Sequence, residues 1–172
     1  WNNFDITKQG KSRKNQSGKI NFYILFILKA SRLLKENGCL SYIVPNGLLR
    51  TTTYDTTREY ILNNLQIQEI VDLKNGVFKG VTASTIILKL KPNLKKQLIT
   101  IIDANYVQDG YIDTKKRSSI SQTYFLGYTS YVFSIFVSEK EVKLFNKISK
   151  NFKETGLFLG NILSNCEEGI VA

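Results

Sequence analysis

Two stretches of this chain repeat their apolar residues at helical spacing. The first, NFYILFILKASRLLK, predicts a helix from residue 22 to residue 35 with Asn21 as its N-cap. The second, TYDTTREYILNNL, predicts a helix over residues 53–65. The apolar face of the first helix is expected to carry Phe22, Leu25, Phe26, Ala30, Leu33 and Leu34.

Three short apolar runs alternate with these helices and predict strands. CLSYIVP (residues 39–45) ends at a proline, QIQEIVDL covers residues 66–73, and TASTIILKLK covers residues 82–91. Alternating helices and strands are typical of a parallel sheet covered by helices on both faces. The last two strands are separated by only eight residues, which is too short for a crossover connection, so we expect them to pair antiparallel.

The pattern changes after residue 93. LITIIDA (residues 98–104) and YFLGYTSYVFSIFV (residues 124–137) predict strands, separated by the polar basic segment DTKKRSSISQ. Ser138 followed by Glu141 is typical of a capping box, and it predicts a helix over SEKEVKLFNKISK.

The charge balance points to a polyanionic partner. The formal net charge is +10, and a surplus of Lys and Arg is the electrostatic footprint of nucleic-acid binding. The composition of residues 2–20 predicts a polar basic loop, and these residues contribute to this surplus. A Lys-rich composition inherited from a low-GC genome explains the same surplus, and this alternative stays open.

Composition also excludes several classes of site. The chain has no histidine, and its two cysteines, Cys39 and Cys166, are far apart, which disfavours zinc, haem and His-based triads. Cys39 lies in an apolar run and is expected to be buried. No GxGxxG motif is present, which disfavours a dinucleotide-binding Rossmann pattern. No apolar run of about 18 residues is present either, so we expect a cytoplasmic protein without a membrane partner. The chain lacks Met and starts at Trp1, which suggests a piece of a longer protein.

The stretch from Gly18 to Lys91 carries short motifs in a fixed order. They are an Asn-aromatic-Tyr helix start, a Leu-Leu-Lys-x-x-Gly helix end, a strand ending in Val-Pro-Asn, and a Val-Phe loop before a Thr-Ile-Ile strand. In this order they resemble the amino-methyltransferases of bacterial restriction–modification systems. Within that group, the chain is most similar to adenine-N6 DNA methyltransferases of the fused restriction-and-modification type.

The resemblance implies an α/β fold. Residues 1–93 would form the C-terminal half of a Rossmann-like, S-adenosylmethionine-dependent methyltransferase sheet that ends in an antiparallel hairpin. Residues 94–172 would form a connector and the start of a partial α+β domain for DNA target recognition. The site for S-adenosylmethionine would then lie mostly outside this chain, and the chain alone would be inactive.

The resemblance also implies two aromatic site residues. In the family, an Asn oxygen and a Pro carbonyl of an Asn-Pro-Pro-aromatic motif accept the hydrogens of the adenine amine. Trp1 stands where that aromatic would fall, which places it in the catalytic site; the alternative is a linker or surface residue. Phe78 matches the aromatic that stacks on the flipped target base; the alternative is a plug at the edge of the sheet.

Polar and basic residues complete the expected site. Asn46 follows the carboxyl end of a predicted strand, where open α/β sheets bind ligands, so we expect it to line the target-base pocket, with a plain turn role as the alternative. Lys11, Arg13 and Lys14 of the basic loop, and Lys79 before the last strand, are expected to contact DNA phosphates. Their alternative is a solvated surface.

Together these features predict part of a site-specific enzyme that flips an adenine out of double-stranded DNA and methylates its N6 from S-adenosylmethionine. The expected partners are DNA and the rest of the methyltransferase chain, with a fused nuclease left open. The competing hypothesis is a catalytically inert DNA-binding or specificity module of a restriction–modification system.

Overall fold

The computed structural model describes residues 21–92, 98–106 and 111–155. Helices and strands alternate in the first half, and two further strands and one long helix follow. Their bounds are α1 Phe22–Leu33, β1 Leu40–Pro45, α2 Asp55–Asn64, β2 Gln66–Lys74, β3 Thr85–Lys91, β4 Leu98–Tyr106, β5 Ile112–Ser121 and α3 Glu139–Thr155.

The strands form one mixed sheet in the order β1-β3-β2-β4-β5. The antiparallel hairpin expected from the short connection is confirmed, because β2 and β3 pair antiparallel. β3 also pairs antiparallel with β1, so it lies between the two strands that precede it in the sequence. β1 and β2 are consequently parallel to each other, as helix–strand alternation predicts, but they are not neighbours.

The sheet continues beyond residue 93. β4 pairs parallel with β2, and β5 pairs antiparallel with β4 at the outer side of the described sheet. The expected polar connector is therefore a strand, and its polar residues are tolerated because residues 114–119 are exposed at the sheet edge. The functional division at residue 93 stays a prediction.

The strand expected over residues 124–137 is wrong. Short 3-10 turns occupy Gln122–Gly127 and Thr129–Tyr131 instead. The apolar residues of this stretch fold into the core rather than into a ladder: Phe125 and Phe133 are both fully buried and stack with their ring centres 5.0 Å apart.

Both α1 and α2 cover the same face of the sheet. Their buried residues join one apolar cluster with Ile86, Leu88 and Leu90, which alternate along one side of β3. The expectation of helices on both faces is thus not met by α1 and α2. The smaller cluster of Val71, Leu73, Ile102 and Ala104 forms on the other side.

Two expectations about burial are wrong. The buried face of α1 is Ile24, Ile27, Leu28 and Ser31, whereas Phe22, Phe26 and Leu33 are exposed. Nearly every position of this helix is apolar, so helical spacing fits more than one stripe. Cys39 is exposed rather than buried, because it lies one residue before β1 begins.

The chain divides into two compact units, residues 1–136 and residues 137–172. The second unit contains α3, and its capping box is confirmed. The Ser138 backbone N–H donates to Glu141 Oε2 at 2.7 Å, and the Glu141 N–H donates to Ser138 Oγ at 3.3 Å. Among the described helices of the whole chain, none combines the length and apolarity that a membrane span requires.

Candidate functional site

Three strand ends meet at one edge of the sheet. Pro45 at the end of β1 and Lys74 at the end of β2 both lie opposite Thr85, the first residue of β3. Since β1 and β2 are parallel, this is the carboxyl edge of both strands. Ligands of open α/β sheets bind at such an edge.

Ser84 connects the two segments that carry the predicted base-binding residues. Its carbonyl oxygen accepts a hydrogen bond from the Asn46 backbone N–H at 2.9 Å. Its hydroxyl donates to Asn75 Oδ1 at 2.7 Å, which closes the base of the loop over residues 75–84. The structure therefore brings partly buried Asn46 and the loop that bears Phe78 to the same edge.

The loop presents Phe78 to solvent and packs its partly buried neighbour Val77 against the protein. Val77 packs on the smaller apolar cluster, while Phe78 is 49% exposed and Lys79 is exposed beside it. Gly76 and Gly80 adopt φ values of +90° and +76°, a region that favours glycine. The backbone of the loop thus adopts a conformation that can turn an aromatic ring outward.

Lys74 forms ion pairs with two carboxylates at the start of this loop, and we call this arrangement the Lys74 clasp. Its ammonium lies 2.7 Å from buried Asp72 and 2.8 Å from Asp103, and it stands 4.4 Å from the centre of the Phe136 ring. Desolvation lowers the pKa of Lys74, but hydrogen bonds to Asp103 and Asp72 outweigh it and the pKa is raised. The backbone of Lys74 is left-handed, with φ 59°, so the clasp holds a conformation that a non-glycine residue rarely adopts.

A buried hydroxyl also lies at this edge. Thr85 is 4% exposed, and within the described part of the chain its Oγ1 has no hydrogen-bond partner. Buried polar atoms of this kind usually find a partner. Nothing in the sequence distinguishes Thr85 from any other strand threonine, so sequence reasoning missed it.

An aromatic pair flanks the turn that follows β1. Tyr23 and Tyr54 pack edge to face with ring centres 5.7 Å apart, and Asn21 Nδ2 donates to the Tyr54 hydroxyl. A Cβ built on Gly47 would meet Thr51 Oγ1 at 3.3 Å and a Tyr54 ring carbon at 4.0 Å. Burial raises the pKa of Tyr23, so its hydroxyl remains neutral. In the sequence, Tyr54 is marked only by its place within the helix predicted over residues 53–65.

The remaining predicted site residues are not placed. Trp1, Lys11, Arg13 and Lys14 lie outside the described residues, so their assignment stays a prediction. Within the described ranges, no group of three or more Cys, Asp or Glu residues is arranged to hold a metal ion.

Residues 2–78 match the family model described as Eco57I restriction-modification methylase. The type II methyltransferase M.HincII of Haemophilus influenzae is 24% identical over 133 residues, which cover 73% of this chain. The type II methyltransferase M.AccI of Acinetobacter calcoaceticus is 30% identical over 81 residues, which cover 45% of this chain. The chain spans only 26% and 15% of the lengths of these two relatives.

The fold is similar to that of the type IIG restriction endonuclease BpuSI. The TM-score is 0.55 with 13% sequence identity, and the match covers 80% of this chain and 18% of that one. The resemblance to restriction–modification methyltransferases is confirmed: residues 2–78 match that methylase family model, and the chain shares a Rossmann-like α/β fold with the solved structure.

Proposed function

We propose that this chain is part of an enzyme that transfers a methyl group from S-adenosylmethionine to the N6 amine of an adenine flipped out of double-stranded DNA. The observation that carries the proposal is the hydrogen bond from Asn46 N–H to the Ser84 carbonyl. This contact supports the proposal because it holds Asn46 and the loop bearing the exposed Phe78 at one carboxyl edge of the sheet.

Phe78 is the stacking platform for the flipped base. Extruding an adenine costs a few kcal/mol of lost pairing and stacking, and an aromatic ring restores about 1–3 kcal/mol per base. Half of the Phe78 side chain is open to solvent, although its neighbour Val77 is packed. An exposed phenylalanine on an anchored loop is better placed to contact a ligand than to pack in the core.

Asn46 lines the target-base pocket. Its side chain is partly buried, and its backbone N–H is already engaged by Ser84. The side-chain amide offers both a donor and an acceptor, which suits recognition of a base edge. The Thr85 hydroxyl at the same edge, which has no partner among the described residues, is a second candidate group for that purpose.

DNA phosphates are contacted by basic residues around the base. Lys79 is exposed next to Phe78, which suits a phosphate beside the flipped nucleotide. Lys11, Arg13 and Lys14 serve the same purpose from the N-terminal basic loop. Trp1 is assigned to the catalytic motif that the family uses to polarise the adenine amine.

The methyl donor is bound mostly by another part of the protein. In dinucleotide-binding folds an acidic residue holds the ribose hydroxyls, but Asp72 near the end of β2 and Asp103 within β4 are both engaged by Lys74. These residues do not fit the cofactor. Residues 1–172 alone are consequently expected to be inactive and to depend on the rest of the methyltransferase chain.

Base flipping is tested with 2-aminopurine, whose fluorescence rises when it leaves the stack. The full-length protein is used, with the probe replacing the target adenine of a recognition site mapped beforehand by sequencing methylated bases. We expect a fluorescence increase that saturates with protein. Binding without any increase would exclude the flipping step.

A further inference from the structure

Arg58, in the middle of α2, is fully buried and donates five hydrogen bonds. Nη1 donates to the carbonyls of Leu48 and Thr51, each at 2.9 Å. Nε donates to the carbonyls of Ser130 and Tyr131, each at 3.1 Å, and Nη2 donates to Ser130 at 2.7 Å. Every acceptor in this set is a backbone carbonyl.

Burying a cation at this position costs free energy. Buried arginines are normally paired with a carboxylate, whereas the five hydrogen bonds of Arg58 all go to backbone carbonyls. Burial lowers the pKa of Arg58 to about 10, so the guanidinium is still charged at neutral pH. Only arginine presents several donors in one fixed plane, and this geometry is what four carbonyls from two segments require.

The first segment is the turn that carries Asn46. Leu48 and Thr51 belong to the stretch directly after β1, and the Thr51 N–H bonds back to the Gly47 carbonyl at 2.9 Å. Arg58 therefore holds this turn from the inside, while Ser84 holds its first residue from the sheet.

The second segment has a strained backbone. Ser130 and Tyr131 adopt φ values of 57° and 53°, which non-glycine residues rarely tolerate. The same segment is joined to the turn by a hydrogen bond from Phe133 N–H to the Leu49 carbonyl at 2.9 Å. The carbonyls of these two strained residues accept hydrogen bonds from the guanidinium. This indicates that the contact fixes the backbone conformation of the segment.

We propose that Arg58 is a positioning residue for the methyl-transfer site. It fixes the turn after β1, and through that turn the position of Asn46 relative to the Phe78 loop. Arg58 has no exposed surface and touches no substrate. The inference rests on the proposed function, but the geometry of the turn is testable without activity.

Gln122 supplies a matched control. It is also fully buried and also bonds backbone groups, accepting from Ile67 N–H at 2.9 Å and donating to the Leu65 carbonyl at 2.8 Å. These partners lie at the opposite end of β2 from Lys74. Replacing Gln122 weakens the same core without touching the turn.

The experiment compares Arg58→Lys with Gln122→Met in the full-length protein. Hydrogen exchange measures the amides of Asn46 and Thr51, and single-turnover kinetics measures methyl transfer at saturating DNA and cofactor. Arg58→Lys is expected to speed exchange at both amides and to slow transfer about tenfold or more, since small misplacements cost up to about a hundredfold. Gln122→Met is expected to lower the melting temperature while keeping the exchange of the turn and the transfer rate.

Unchanged exchange in Arg58→Lys, or equal effects of the two variants, would overturn the positioning role. Arg58→Gln, which keeps a planar amide donor, repeats the comparison if the lysine variant does not fold. Failure of both Arg58 variants to fold, with Gln122→Met folded, would assign Arg58 to stability alone. If the wild type methylates nothing while exchange in the turn still depends on Arg58, the proposed function fails and the positioning of the turn stands.

Discussion

The Asn46 backbone N–H donates to the Ser84 carbonyl across 2.9 Å, and this contact joins two segments that lie almost forty residues apart in the sequence. The turn after β1 and the loop before β3 are thereby held at one edge of the sheet. Loops positioned by a rigid scaffold are where binding residues concentrate. The site proposed here depends on that connection more than on either residue alone.

Replacing Phe78 with alanine is expected to impair capture of the target base. Loss of one stacked base costs about 1–3 kcal/mol, so kcat/KM for methylation should fall about 5- to 150-fold. Val81→Ala is the control, because Val81 lies in the same loop and is 48% exposed, against 49% for Phe78. Equal activity of the two variants would remove Phe78 from the site.

Replacing Lys74 with methionine is expected to destabilise the sheet edge. Asp72 would keep its buried position but lose its ammonium partner, and leaving a buried group unsatisfied costs about 1–3 kcal/mol. The free energy of unfolding, measured by denaturant titration, should fall by that amount. Lys79→Met, at an exposed position of the loop that follows β2, should change it little; an equal loss in both variants would contradict the clasp.

The Lys74 clasp also predicts a pH dependence. Its pKa is raised in the folded state above the ordinary value of 10.5, so its stabilising contribution is fully present below pH 10.5 and is lost as the pH rises through the higher folded-state pKa. The stability difference between wild type and Lys74→Met should be constant near neutrality and shrink in strong alkali. A difference that instead grew with alkaline pH would contradict the assignment.

Gln122→Met is expected to lower the free energy of unfolding by about 3 kcal/mol, because the Ile67 N–H and the Leu65 carbonyl both lose a buried partner. Thermal and chemical unfolding both measure this. Thr123→Ala serves as the control, since Thr123 is the exposed neighbour and its removal leaves these bonds intact. A loss in Gln122→Met no larger than in this control would show that the bridge is unimportant.

The local elements were largely predictable from sequence. Apolar periodicity and the prolines that end strands, Pro45 and Pro92, are local signals. They located α1, β1, α2, β2 and β3 to within a few residues. The position of β3 between β1 and β2 was not predictable, because it depends on pairing between distant segments. The exposed edge strand β5 was missed for a related reason, since its polar residues carry no burial signal.

The site was predictable only in part. Asn46 was predicted from its position at a strand end, and Phe78 was predicted from the family motif. The structure places both segments at one edge of the sheet. Arg58 was missed because its acceptors, Ser130 and Tyr131, lie 72 and 73 residues further along the chain. Lys74 and Thr85 were missed because their roles follow from strand register, which the sequence pattern alone does not specify.

The most direct test of the account is nucleoside mass spectrometry of DNA treated with the full-length protein. Double-stranded DNA is incubated with the protein and S-adenosylmethionine, digested to nucleosides, and compared with DNA from a reaction without the methyl donor. We predict that N6-methyladenine accumulates only when the donor is present. Methylated cytosine in its place, or no methylated base with a folded protein, would contradict the proposed function.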